Sequence, residues 1–233
     1  EPLHLDARLM EVRRSNVADS LGAPDSGVQA RELYLTLDEQ LLLSGWLRGD
    51  DLVDIRVLGS TGIGAMVTYG TEINSVTADA GSDLSSYNAG SAIRIETSHS
   101  VIIGTALVAY GNGSSVLVDA GTSLQLVPGG LVAARQDNAR VDLRAGSYLH
   151  VNSDSAVTVG AQFVLVNDSP VATKTGANTF LSLSAAGEMR LSGAVTAAGG
   201  MALQYGETVH SYAEYFDTIP GQVLASTAFD AAI

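Results

Sequence analysis

The chain has 233 residues, 46% hydrophobic and only 16% charged, with a net charge of −13 and a single lysine, Lys174, among its 12 basic residues. That apolar content is enough to fill a core and argues against disorder, while the acidic balance repels phosphate backbones and anionic lipid, excluding nucleic acid as a partner. The absence of cysteine excludes disulfides and thiolate metal sites, and no run of 18 apolar residues marks a membrane-crossing helix, so no membrane insertion is expected.

The 25 glycines and the shortage of Glu, Lys and Arg predict a β-rich fold, because long surface helices recruit those charged residues. Glu1-Pro2 is followed by neither a basic start nor an apolar run, so the chain reads as a mature fragment or a piece of something longer.

Residues 3–12 alternate imperfectly between apolar and polar, which predicts a strand with one outward face. Residues 16–27 carry Asp19, Gly22, Pro24, Asp25 and Gly27 and read as a loop. Alternation resumes over 32–37 and 40–47. A helix across 31–43 is the competing reading, since Glu, Leu and Gln favour helix. Residues 1–40 are therefore expected to form a strand and loop segment that caps the repetitive region beginning at residue 41.

Within that region the sequence repeats itself. Ile63-Gly64-Ala65 is echoed by Ile103-Gly104-Thr105, and Asp79-Ala80-Gly81-Ser82-Asp83-Leu84 by Asp119-Ala120-Gly121-Thr122-Ser123-Leu124, both at an offset of 40. Ala-Gly corners fall at Gly81, Gly121, Gly146 and Gly187, Asp54-Ile55-Arg56-Val57 returns as Ala92-Ile93-Arg94-Ile95, and Leu43-Ser44-Gly45 matches Leu191-Ser192-Gly193. Repeats of this kind bury each unit against its neighbour. The expected fold is all-β, a single-stranded parallel β-helix over 41–206 in which 40 residues make two coils of about 20. A β-sandwich or jelly roll is the alternative, though its corners seldom recur at a fixed interval. Residues 207–233 are expected to form a C-terminal cap or assembly segment, with Tyr212, Tyr215, Phe216 and Ile219 as the assembly residues.

The Leu-Ser-Gly, Ala-Gly-Ser-x-Leu and Gly-x-x-Val-x-Tyr-Gly units, in a Cys-free, Lys-poor acidic chain, resemble coils of large bacterial exoproteins of the filamentous-haemagglutinin and giant surface-adhesin type. The resemblance spans roughly residues 41–206. It implies a right-handed β-helix stalk, extracellular or on the cell surface, serving adhesion or surface structure. The partners implied are other copies of the chain or neighbouring segments of a longer one, and a surface glycan or protein receptor; it carries no catalytic residues across.

Several residue groups are chemically suggestive. Asp50, Asp51 and Asp54 are the candidate acids of a β-helical polysaccharide-degrading enzyme, where one carboxyl protonates the glycosidic oxygen and another activates water. That reading needs Asp51 clustered with Arg56 and Arg94 in one groove; solvated corner acids are the simpler explanation, and no catalytic site or cofactor is expected. Asp79, Asp83 and Asp119 are candidate calcium ligands, Asp79 and Asp119 at equivalent repeat positions, although the Gly-Gly-x-Gly-x-Asp pattern of calcium rolls is absent. Arg48-Gly49-Asp50 spells a receptor tripeptide, with Gly49 explained equally well as a corner. Asn112-Gly113-Ser114 and Asn167-Asp168-Ser169 are glycosylation sequons that read as turns, and Tyr69 and Tyr110 are expected in a stacked aromatic ladder.

Overall fold

In the computed structural model, residues 1–12, 27–43, 46–57, 75–78, 83–104, 106–166, 169–206 and 208–211 are described. The period-two alternation of the sequence becomes strands throughout, with no helix among the described residues. Nineteen strands join one sheet, and its pairings with neighbouring coils are parallel.

The sheet is wound into three faces. Face A stacks residues 2–7 of β1 (Pro2–Val12), 32–37 of β2 (Gly27–Leu43) and 52–57 of β3 (Trp46–Val57), then β6 (Ala92–Thr97), β9 (Ser115–Ala120), β12 (Arg140–Ala145), β17 (Phe180–Ala185) and β20 (Gly200–Tyr205). Face B stacks residues 9–12 of β1 and 40–43 of β2 on β4 (Ser75–Ala78), β7 (Ser100–Ile103), β10 (Ser123–Leu126), β13 (Tyr148–Val151), β18 (Glu188–Leu191) and β21 (Thr208–Ser211). Face C stacks residues 27–30 of β2 and 46–49 of β3 on β5 (Asp83–Ser86), β8 (Ala106–Ala109), β11 (Leu131–Ala134), β14 (Ala156–Val159) and β19 (Ala194–Ala197). The chain visits C, A and B in turn, so the protein is a three-faced parallel β-helix, as the repeats predict. The helix reading of 31–43 gives way to strand because Leu33, Leu35 and Leu37 must all point inward from one extended segment.

Inward residues from the three faces meet in one continuous core. A single coil supplies Val116, Val118 and Ala120 from face A, Leu124 and Leu126 from face B, and Leu107 and Ala109 from face C, all fully buried. Stacked at about 4.8 Å per coil, such layers bury aliphatic groups against similar neighbours above and below.

The register corrects the coil length. On face A, Ala92 pairs with Ser115 and Ser115 with Arg140, so plain coils hold 23 and 25 residues. The 40-residue steps, Leu52 to Ala92 and Arg140 to Phe180, are single coils carrying insertions. The second insertion contains an antiparallel hairpin, β15 (Ala161–Val166) with β16 (Ser169–Lys174). Hence 40 residues are one enlarged coil, and the echo of Asp83-Leu84 in Ser123-Leu124 joins face C to face B instead of matching equivalent positions. Asp54-Ile55-Arg56 likewise pairs with Arg94-Ile95-Glu96, two residues away from the match of letters. The match of Leu43 to Leu191 does hold, since both end a face B strand before a turn into face C. The parallel stack also begins at Pro2, ahead of residue 41, and includes β21 past residue 206. Residues 63–70, Ala80-Gly81, Tyr69 and Asn167-Asp168 lie outside the described residues.

The corner from C to A explains why the coils can repeat without repeating their letters. Gly90, Gly113, Asn138 and Asn178 occupy successive levels with φ of 72°, 67°, 57° and 55°, the left-handed region that Gly and Asn tolerate best. The N–H of each of the first three donates to a carbonyl of the next coil, at Asn112, Asp137 and Ala177, each at 2.7 Å. At the A to B corner the constraint is space: a Cβ on Gly146 would come within 1.9 Å of the Gly121 carbonyl.

Candidate functional site

Outward residues of face A stand in rows along the stack. One row runs His4, Tyr34, Asp54, Arg94, Leu117, Asp142, and the next runs Asp6, Thr36, Arg56, Glu96, Asp119, Arg144. Because residues two apart on a strand share a face, Asp54 and Arg56 pair across these rows, with Arg56 Nε and Nη2 donating to the two carboxylate oxygens at 3.4 and 3.3 Å. Arg56 is drawn further into its charged form by this carboxylate.

The same arrangement recurs three levels on. Asp142, 2% exposed, accepts from Arg144 at 2.7 and 3.2 Å and from Arg140 at 3.3 Å. Burial by itself would raise the Asp142 carboxyl; Arg144 first and Arg140 second outweigh it and hold the group below the ordinary carboxylate range. Arg-x-Asp-x-Arg was readable as a period-two charge pattern, yet its function as a buried clamp depends on the neighbouring coils.

At the first coils the His4 imidazole lies flat against Tyr34, with centroids 4.5 Å apart and planes within 3°. Tyr34 Oη donates to Glu32 at 2.9 Å, a bond that raises the phenol pKa. Together with Leu35, Thr36, Asp54 and Arg56, these rings line a groove of about 260 Å³. Nothing in the linear sequence joins His4 to Tyr34, because the 30-residue step between them is unlike any other in the stack.

The three candidate acids are not brought together. β3 carries an extra residue relative to β2 where face C turns into face A, and Asp50 and Asp51 fall in that bulge. The Asp51 carboxylate accepts from Asn88 Nδ2 at 2.7 Å and from Arg31 Nε at 2.5 Å. Those two bonds, Asn88 first, hold it below the ordinary carboxylate range, the opposite of what a general acid requires. The Asp50 carbonyl accepts the N–H groups of Tyr87 and Asn88. Asp54 faces outward on face A with Arg56 beside it and Arg94 in the next coil, so Asp51 belongs to a different corner from both arginines.

The calcium candidates separate similarly. Asp119 is exposed on face A, paired in register with Glu96 and Arg144, whereas Asp83 opens β5 on face C and Asp79 lies outside the described residues. Among the described residues no group of three His, Asp or Glu could hold a metal ion. Tyr212, Tyr215, Phe216 and Ile219 also lie outside the described residues.

Arg48-Gly49-Asp50 sits within β3, where Gly49 is paired with Ala30 on one side and Ser86 on the other, and a Cβ would meet the Leu52 carbonyl at 2.3 Å. Arg48 lies over the Trp46 ring at 4.7 Å. The tripeptide is thus part of the ladder and not a projecting loop. In the sequon at Asn112, Asn112 is exposed and Ser114 is fully buried. The aromatic ladder expected at Tyr110 involves Tyr87, stacked at 5.2 Å with planes 3° apart, and continues to Arg135 on the other side of Tyr110.

Comparison of the sequence with protein-family models, curated proteins and solved structures gave no match.

Proposed function

We propose that the chain is a structural and adhesive module of a secreted or cell-surface bacterial protein, acting through its rigid stack and its repeated surface rows, and joining copies into a fibre or sheath through its ends. The observation that carries this reading is the continuous three-faced ladder, with each plain coil presenting the same outward positions at a fixed rise. Its sequence units resemble those of large exoproteins built for the same purpose. The ends support the assembly half of the proposal: among the described residues, β20 and β21 are paired on one edge alone, leaving backbone donors and acceptors for a further strand. No reactive centre is part of this proposal; Asp51 is engaged with Arg31 and Asn88, apart from the arginines a polysaccharide-cleaving groove would need.

The test is truncation after Gly206. The shortened chain is expected to keep its β-sheet circular dichroism and to lose higher-order assembly in sedimentation; assembly unaffected by the cut overturns the role given to the end segment. Attachment of intact protein to host-cell monolayers, compared with an unrelated β-helix of equal charge, tests the adhesive half, and equal retention of the two overturns it.

A further inference from the structure

The groove on face A between the His4–Tyr34 stack and the Asp54–Arg56 pair has no part in the stacking of coils, and its chemistry is specific. We infer that it is a binding subsite for one unit of a neutral saccharide, with Tyr34, Asp54 and Arg56 as the recognising residues; this rests on the adhesive reading and names the partner that reading requires.

Four observations converge on that class. The groove measures about 260 Å³, just below the usual range for drug-sized ligands, and so suits a single compact ring. Its charges balance, with Asp54 and Glu32 set against Arg56 and, in the next coil, Arg94, so that neither an anion nor a cation is selected. Asp54 and Arg56 present a planar acceptor and a planar donor side by side, the pair of groups that vicinal hydroxyls satisfy as donor and acceptor together. The stacked imidazole and phenol add an apolar surface with polar tips, matching a ring whose C–H groups and hydroxyls lie on one edge. Asp54 is 7% exposed and Arg56 about half exposed, so the carboxylate is held in place while the guanidinium remains free to close on a ligand.

The other groove of similar size, around Ala145, Ser184, Gln204 and Tyr205, lacks this combination: its floor is alanine and glycine, and it contains no charged group. The face A groove therefore offers recognition where the second offers only space. Because the rows continue along the stack as Arg94, Glu96 and Asp119, an extended glycan lying parallel to the axis would meet further polar groups beyond the first unit.

The experiment uses the intact chain and immobilised tetrasaccharides of three kinds, neutral hexose, N-acetylhexosamine and uronate. Retention on at least one uncharged tetrasaccharide with Kd at or below about 1 mM is expected. Tyr34→Ala and Arg56→Gln are each expected to weaken it by about tenfold, and Tyr34→Phe by less, with circular dichroism unchanged. Tyr87→Ala, an aromatic outside the groove, is expected to leave it unchanged. Absence of binding to both uncharged kinds, retention on uronate alone, or binding that survives both groove variants overturns the inference. If cell attachment persists while no saccharide binds, the groove assignment fails and the adhesive reading stands. Saccharide binding without attachment to cells is the reverse result.

Discussion

On face A the outward residues Arg94, Glu96, Asp119, Arg140 and Arg144 are exposed and charged, whereas on face C the outward Val108, Ala133, Thr158 and Thr196 are buried. Both faces are laid on the same parallel ladder, and both alternate. The difference begins at the ends of the strands. Face C strands are four residues long, and the corner residues after them fold back over them: Ser85 Oγ donates to the Tyr87 hydroxyl at 3.0 Å, and Tyr110 and Arg135 continue that row beside Val108 and Ala133. Small side chains are required under such a cover. Face A strands are six residues long and leave their outward rows to water, where alternating charges suit them.

The contrast is broken most severely by placing a charge on each face in turn. Val108→Asp buries a carboxylate at a position 2% exposed and is expected to cost about 3 kcal/mol or more, enough to prevent folding of the coils around it. Leu117→Asp, outward on face A, is expected to cost less than about 1 kcal/mol in denaturant unfolding. Equal costs would remove the distinction between the faces.

Asp142 is the exception on face A, and the next largest effect is expected there. Asp142→Ala leaves Arg140 and Arg144 without their shared acceptor and should cost about 2 kcal/mol, compared with under about 0.5 kcal/mol for exposed Asp119→Ala. The pH dependence has a definite sign. Because the folded-state pKa of Asp142 is depressed, its contribution is complete above the unfolded value of about 3.9 and is lost as pH falls through the folded value. Acid titration monitored by circular dichroism should therefore show the wild type losing stability relative to Asp142→Asn as the pH falls below about 4. Parallel curves would contradict the clamp.

Tyr87→Phe sharpens the comparison from the other side. It deletes the hydroxyl that receives Ser85 and keeps the ring on Tyr110, with an expected loss of about 1 kcal/mol, while Tyr87→Ala should lose somewhat more. The smallest effect is expected at Arg31–Asp51: both groups are solvated, and Asp51→Ala should change the unfolding midpoint by less than the equivalent of about 1 kcal/mol.

Much of the fold was legible. Short alternating segments, glycine-marked turns and low charge sufficed for an all-β stack, because a period of two and a recurring corner leave few other ways to bury the aliphatic residues. The phase of the repeat was not legible. Two insertions of similar size made single coils imitate double ones, and Asn138 and Asn178 stand where other coils use Gly90 and Gly113, which φ reveals and spelling does not. The candidate acids were read from adjacency in the chain, where Asp50, Asp51 and Asp54 look like neighbours; a bulge puts the first two at a corner and the third on a face.

The amino-acid sequence by itself determined the strands, the aliphatic core and the acidic, lysine-poor surface, since these arise from local alternation and composition. Only the winding of the chain decided which side chains meet. His4 reaches Tyr34 across 30 residues, Asp51 reaches Asn88 across 37, and Glu96 lies level with Asp119, because parallel register sums every insertion between two coils and no local rule records that sum.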